Sequence, residues 1–231
     1  MSPVELPDPY NLLALLPEIA LLLAACFVLV ADAIAAGDEG SPRIDLIALA
    51  GLVLPLAAIF YVASDGHSYS FGQMYVSDLM AHTLKACAII ATGVVILYSR
   101  QYAIDRGIRR GELYSLALFA LLGQMVMISG SNLLVLYLGL ELMSLSLYAI
   151  AGLRRQLSTS SEAAIKYFVL GALSSGFLLY GMSMVYGATG SLDIPEIVDR
   201  IATGQVSDAV LVFGVVFVVA GIAFKFGAVP S

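Results

Sequence analysis

Seven stretches of this chain, at residues 12–31, 46–63, 79–98, 113–129, 133–153, 163–186 and 209–229, are almost wholly apolar. A helix needs about 20 such residues to cross the hydrocarbon core of a bilayer. In lipid only a helix or a closed barrel satisfies its own backbone, and runs this long without alternation read as helices. The expectation is an all-α polytopic membrane protein with about seven transmembrane helices. Composition agrees: 60% of residues are apolar and 12% are charged, where a soluble domain carries about 25% charged residues. That balance excludes a soluble globular enzyme, a disordered chain and a nucleic-acid binder.

Several chemistries drop out as well. Cys26 and Cys87 lie in different apolar runs, with no CxxC or Cys/His cluster. The sequence therefore offers no disulfide framework, zinc site or iron–sulfur ligand set. It offers no glycine-rich phosphate cradle either. Met1 to Tyr10 contain Glu5 and Asp8 but no basic residue, unlike the n-region of a signal peptide, so the first run is expected to stay as a helix. Connections are short apart from 64–78 and 187–208. Within the latter, Asp193 and Glu196 resemble a capping pair ahead of Ile194, Ile197, Val198 and Ile201, which predicts a short surface helix over 193–202.

Basic residues set the expected orientation. Arg43, Arg100, Arg106, Arg109, Arg110, Arg154 and Arg155 follow the first, third and fifth runs, whereas the opposite side has only Arg200. The N-terminus is expected outside and the C-terminus in the cytoplasm. The other basic residues, Lys85, Lys166 and Lys225, all fall inside apolar runs, while every arginine falls in a predicted loop. A buried lysine can give up its proton; an arginine cannot. An intramembrane lysine is also costly enough to need a partner.

Glu141, the ninth residue of its run, lies about 12 Å deep at 1.5 Å per residue, beyond snorkelling reach. Ser144 continues its face. Lys225 sits in GIAFKFGAVP, where Gly227 and Pro230 interrupt a helix beside a charge, as at transporter ion sites; a snorkelling residue at the cytoplasmic end is the other reading. Glu162 and Lys166 form an i,i+4 pair that fits an ordinary surface contact as well as a buried one. For His82 and Lys85, snorkelling and a proton path explain the positions equally. Glu18, after Pro17, is expected at the interface. Gly171, Ser175 and Gly176 suggest close helix packing.

The segments NLLVLYLGLELMSLSLY (132–148), SEAAIKYFVLGA (161–172), GMSMVYGATG (181–190) and GIAFKFGAVP (221–230) closely resemble the antiporter-like membrane subunits of bacterial proton-pumping NADH–quinone oxidoreductase, respiratory complex I. The resemblance implies that Glu141 and Lys225 are the central proton-translocating pair and that Glu162 and Lys166 join a buried polar chain. It implies no cofactor on this chain, with FMN and iron–sulfur clusters on partner subunits, and NADH and quinone as substrates of the whole complex. Other membrane subunits and the lipid bilayer would be its partners, in the bacterial inner membrane. Such subunits have about fourteen helices, partly as two inverted repeats. These residues are then expected to form an N-terminal half: a three-helix segment at 1–112 and an incomplete translocating repeat at 113–231. The alternatives are a subunit of a multi-component cation/proton antiporter or membrane hydrogenase, or a truncated structural polypeptide without transport.

Overall fold

The computed structural model describes residues 11–34, 44–66, 68–108, 110–154, 156–204 and 206–227. Its helices are α1 (Leu16–Ile34), α2 (Ile44–Val62), α3 (Leu79–Asp105), α4 (Arg110–Ser129), α5 (Leu133–Ala151), α6 (Ser158–Thr189), α7 (Ile194–Ala202) and α8 (Asp208–Lys225). All but α7 are long and apolar enough to cross a membrane, which makes seven candidate spans among the described residues. The all-helical polytopic expectation holds. A 3-10 turn, Leu12–Leu15, leads into α1. Pro17 then sits in the first turn of α1, where a missing N–H costs nothing.

Two helices, α3 and α6, outrun their apolar stretches by five residues or more at one end. α3 continues to Asp105 because its polar end finds partners: Arg100 Nε lies 3.0 Å from Asp45 on α2, and Gln101 Nε2 donates to Asp105 at 2.8 Å. The sequence placed Arg100 and Arg110 outside the helices; Arg100 is helical, and Arg110 opens α4. α6 begins five residues earlier than its apolar run, so Lys166 is the ninth helical residue rather than the fourth. It ends where Gly190, at φ +71°, turns left-handed and donates its N–H to the Tyr186 carbonyl, the usual glycine stop.

The connection at 64–78 holds a hairpin that apolar periodicity did not show. Strands β1 (Ser68–Ser70) and β2 (Tyr75–Ser77) pair antiparallel, Ser68 opposite Ser77 and Ser70 opposite Tyr75. Strands of three residues are too short to alternate visibly. The hairpin caps the end of the bundle where α1 and α3 begin. Asn132 also bridges Asp193 at this end, with Leu133 N–H on the Leu192 carbonyl at 2.9 Å.

α7 forms as expected, but without the capping box. The Asp193 carboxylate accepts from Asn132 Nδ2 at 2.6 Å, and Glu196 accepts from the Ser191 hydroxyl at 2.5 Å. Arg200 closes this network onto Glu196 and the Thr189 carbonyl. Both acids are drawn to partners outside the helix start, so neither serves the first-turn amides.

Helices α1 to α4 share one apolar core, including Leu21, Val28, Ile44, Ile96, Tyr114 and Leu118. The other major contacts run through glycine. A Cβ on Gly123 of α4 would lie 2.5 Å from the Gly139 carbonyl oxygen of α5; one on Gly181 of α6 would lie 2.7 Å from that of Gly214 in α8. Such backbone-to-backbone crossings substitute for the hydrophobic drive that lipid removes. They seat α5 on α4 and α8 on α6, and Gly171 of α6, packed on Tyr148 of α5, joins the two pairs and sets up the site described next.

Candidate functional site

Glu141 and Lys225 are 84 positions apart in sequence yet meet inside the bundle, Lys225 Nζ lying 3.7 Å from Glu141 Oε1. α5 and α6 hold the acid: the Ser175 hydroxyl of α6 donates to the same Glu141 oxygen. α8 holds the base, which is the last residue of that helix. Gly227 follows at φ +69°, with its N–H on the Phe224 carbonyl at 2.9 Å. The helix therefore stops beside Lys225, where the exposed carbonyl ends favour a cation. Pro230, the other residue expected to interrupt the helix, lies outside the described residues.

Depth separates the two readings of Lys225. Ser174, near the middle of α6, donates to the Gly221 carbonyl at 2.8 Å, one turn before Lys225. The lysine thus sits opposite the middle of a membrane-length helix. Its side chain and that of Glu141 are 13% and 21% exposed, so it does not snorkel to an end.

At 3.7 Å the ammonium and carboxylate make no direct hydrogen bond. Lys225 Nζ instead donates to Ser144 Oγ at 2.9 Å and Tyr148 Oη at 3.0 Å. A hydroxyl accepts from an ammonium and donates equally well to a neutral amine. Lys225 therefore keeps its partners whether or not it holds the proton. Tyr148 is pinned in turn: its ring stacks edge-on with Tyr167 at 4.6 Å. A Cβ on Gly171 would fall 2.0 Å from its hydroxyl.

The sequence missed the chemistry of two residues. Ser175, read as packing, is the donor to Glu141, while Gly176 has open space around it. Tyr148 lay one heptad from Glu141 within an aliphatic helix, and that spacing was the available signal.

Glu162 and Lys166 are paired at 2.5 Å, but their side chains are 62% and 69% exposed. Within the described residues they do not join a buried chain, because both project from the side of α6 away from α5 and α8.

A second buried pair lies at the hairpin end. Lys85 Nζ is 2.6 Å from Glu18 Oε1, with the side chains 1% and 6% exposed. Glu18 is thus an interior residue rather than an interfacial one, and Lys85 does not snorkel. Lys85 also donates to Tyr75 Oη at 2.8 Å, and that hydroxyl donates to the Ala14 carbonyl at 3.1 Å. Burial and the Glu18 charge push the Tyr75 phenol well above its ordinary range. Beside the lysine, His82 Nε2 lies 3.2 Å from Ser77 Oγ.

Residues 130–231 match the family model described as NADH:quinone oxidoreductase/Mrp antiporter, TM. The matched part of the chain is similar to the membrane domain named in that description. More particularly, the chain is similar to curated proteins named NADH-quinone oxidoreductase subunit N. It is 53% identical to that subunit from Herminiimonas arsenicoxydans over 225 residues, which are 95% of this chain and 45% of the relative. The chain spans about half the length of the curated relatives it matches.

Among solved structures, respiratory complex I from Thermus thermophilus with bound aureothin contains a chain of like fold. It has TM-score 0.67 and 27% identity, covering 90% of this chain and 43% of that one. A chain of the archaeal membrane-bound sulfane sulfur reductase shares the fold at TM-score 0.75 and 22% identity, over 91% of this chain and 44% of that one. The resemblance expected from the sequence is borne out.

Proposed function

We propose that this chain is part of a proton-translocating membrane subunit of an NADH–quinone oxidoreductase in the bacterial inner membrane, beside other membrane subunits. Electrons would pass from NADH through FMN and iron–sulfur clusters on partner subunits to quinone, and the work of this chain is to move protons. Residues 1–112 support, and 113–231 begin the translocating repeat. The N-terminus faces outside and the C-terminus the cytoplasm.

The observation that carries this reading is Lys225 at mid-span, held by two hydroxyls and one carboxylate. With Glu141 ionised and near, the ammonium form is favoured. When a conformational change draws the carboxylate away, desolvation favours the neutral amine and the proton leaves. Ser144 and Tyr148 then donate to the amine and keep it in place. Tyr148 stacks on Tyr167, the neighbour of Lys166 in α6, so Lys166 and Glu162 form the next station once further protein covers that face.

The test uses the full-length subunit assembled in its enzyme. Lys225→Arg keeps the charge but cannot release a proton, its pKa being above about 12. Pumping per quinone reduced should fall as far in Lys225→Arg as in Lys225→Ala, and Glu141→Asp should be milder than Glu141→Gln. Pumping at the parental level in Lys225→Arg would make the lysine a fixed charge. Orientation is read by labelling single cysteines at Met74 and Ser158, with Cys26 and Cys87 replaced. Opposite sides are expected.

A further inference from the structure

We propose that Glu18 and Lys85 form a second proton-holding site, served from the hairpin end of the bundle through Tyr75, Ser129 and His82. The site is independent of the role given to Glu141 and Lys225.

A structural ion pair is the simpler account, and it leaves three observations unexplained. First, burying two charges costs several kcal/mol per ion, and apolar residues of similar volume are often as stable or more so. Second, a purely structural cluster is normally satisfied in full. Here His82 Nδ1 is buried and makes no hydrogen bond among the described residues, and Ser129 and Glu18 both turn to a Tyr75 hydroxyl whose one proton is already given to the Ala14 carbonyl. Third, these groups are grouped rather than scattered. Ser129 of α4 lies beside Tyr75, whose hydroxyl binds Lys85. His82 lies one helical turn from Lys85 toward the hairpin and is bonded to Ser77 of β2.

The chain of polar groups has an opening. A cleft of about 280 Å³ lies at the hairpin end, lined by Val76, Asp78, Ala81, Ser129, Ser131 and Ile194 among others. That volume accommodates several waters at about 30 Å³ each. Ser129 therefore stands between the cleft and Tyr75. The ionisable groups around the pair are Glu18 from α1, Tyr75 from β2, His82 and Lys85 itself from α3, and Asp78, which caps α3 by accepting from the Ala81 N–H; α4 contributes the Ser129 hydroxyl.

The chemistry is one proton and no electrons. In the resting form the proton is shared across 2.6 Å, between carboxylate with ammonium and carboxyl with neutral amine. Loss of that proton toward the cleft leaves carboxylate and neutral amine, with Tyr75 turning to donate to the amine. Uptake reverses both steps. Lys85 is fixed in place either way, since Tyr75 is a partner for both its forms.

The measurement is infrared spectroscopy on the purified full chain in lipid nanodiscs, without turnover. Lys85→Met removes the cation, so Glu18 should take up a proton and show a new carboxylic-acid C=O band at neutral pH. The band should be absent in Glu18→Gln/Lys85→Met. It should shift within the mixing time in D2O. Ser129→Ala or His82→Leu should slow that shift on the order of a hundredfold, the low end of what a positioned proton-transfer group contributes. Where Lys85→Met fails to fold, the parent chain is labelled with a hydrophobic carbodiimide, which attacks protonated carboxyls. Labelling of Glu18, read by mass spectrometry, should rise as pH falls and drop in Ser129→Ala. A Glu18 band that does not exchange, exchange equally fast in all variants, or no labelling at any pH would make the pair a sealed structural contact.

Discussion

The two buried glutamate–lysine pairs are built from the same residues and to different specifications. Glu18 and Lys85 touch at 2.6 Å and lie buried against the core that α1 to α4 share. Glu141 and Lys225 stand 3.7 Å apart, each hydrogen-bonded to hydroxyls rather than to the other, and each partly exposed. The first arrangement maximises Coulomb attraction at high desolvation cost. The second leaves the attraction adjustable: a small helix movement changes a 3.7 Å separation without breaking any direct bond between the charges. Glu162 and Lys166 complete the series. They touch at 2.5 Å but are exposed on this chain, and contact between exposed charges in water is worth little. Distance alone therefore does not rank these pairs; distance together with burial does.

The largest effect separates the two buried pairs by stability. Lys85→Met leaves the buried Glu18 without its cation, to be protonated or held uncompensated, and should cost about 3–5 kcal/mol, the usual penalty for breaking a buried pair. Glu18→Gln/Lys85→Met should recover most of it. Thermal unfolding in detergent reads both. Lys225→Met should cost less, because Glu141 keeps Ser175 and is less buried; an equal cost would erase the contrast.

Next comes Gly171→Ala. The added methyl would overlap the Tyr148 hydroxyl, and overpacking of this kind costs about 1–3 kcal/mol. It should also deprive Lys225 of one hydroxyl partner, so pumping in the assembled enzyme should fall even where the variant is stable. Gly176→Ala, in open space, is the control and should behave as the parent.

Glu162→Gln should change the stability of this chain by less than about 1 kcal/mol, as for exposed pairs. A larger loss in the assembled enzyme than in the isolated chain would show that the pair becomes buried there.

The smallest effect is a pH dependence at α7. Hydrogen bonds from Ser191 and then Arg200 hold the Glu196 carboxyl below its ordinary range. A depressed folded-state value means that this docking contribution is present above the usual carboxylate range and is lost as pH falls through the depressed value. Hydrogen exchange at α7 amides should therefore rise on acidification, and Glu196→Gln should remove that pH dependence.

The sequence by itself determined the seven spans, the surface helix at 194–202 and the depth of Glu141, because each depends on local apolar length and period. It also singled out Lys225 by the glycine that ends its helix. Helix lengths were underestimated where polar ends found partners, as at Arg100 and Asp45. Tertiary structure alone decided which charges are buried and with whom. Glu18 reads as interfacial from its place near a helix start; the hairpin folding over that end, with Tyr75 inserted against Lys85, makes it interior. Ser175 reads as a packing residue until α5 crosses α6 and brings Glu141 to its hydroxyl. Glu162 and Lys166 keep their local contact but lie on an uncovered face. Period and hydropathy are properties of one helix. Burial of a charge is a property of what packs against that helix: the hairpin and the α1 to α4 core for Glu18 and Lys85, and α6 lying against both α5 and α8 for Glu141 and Lys225.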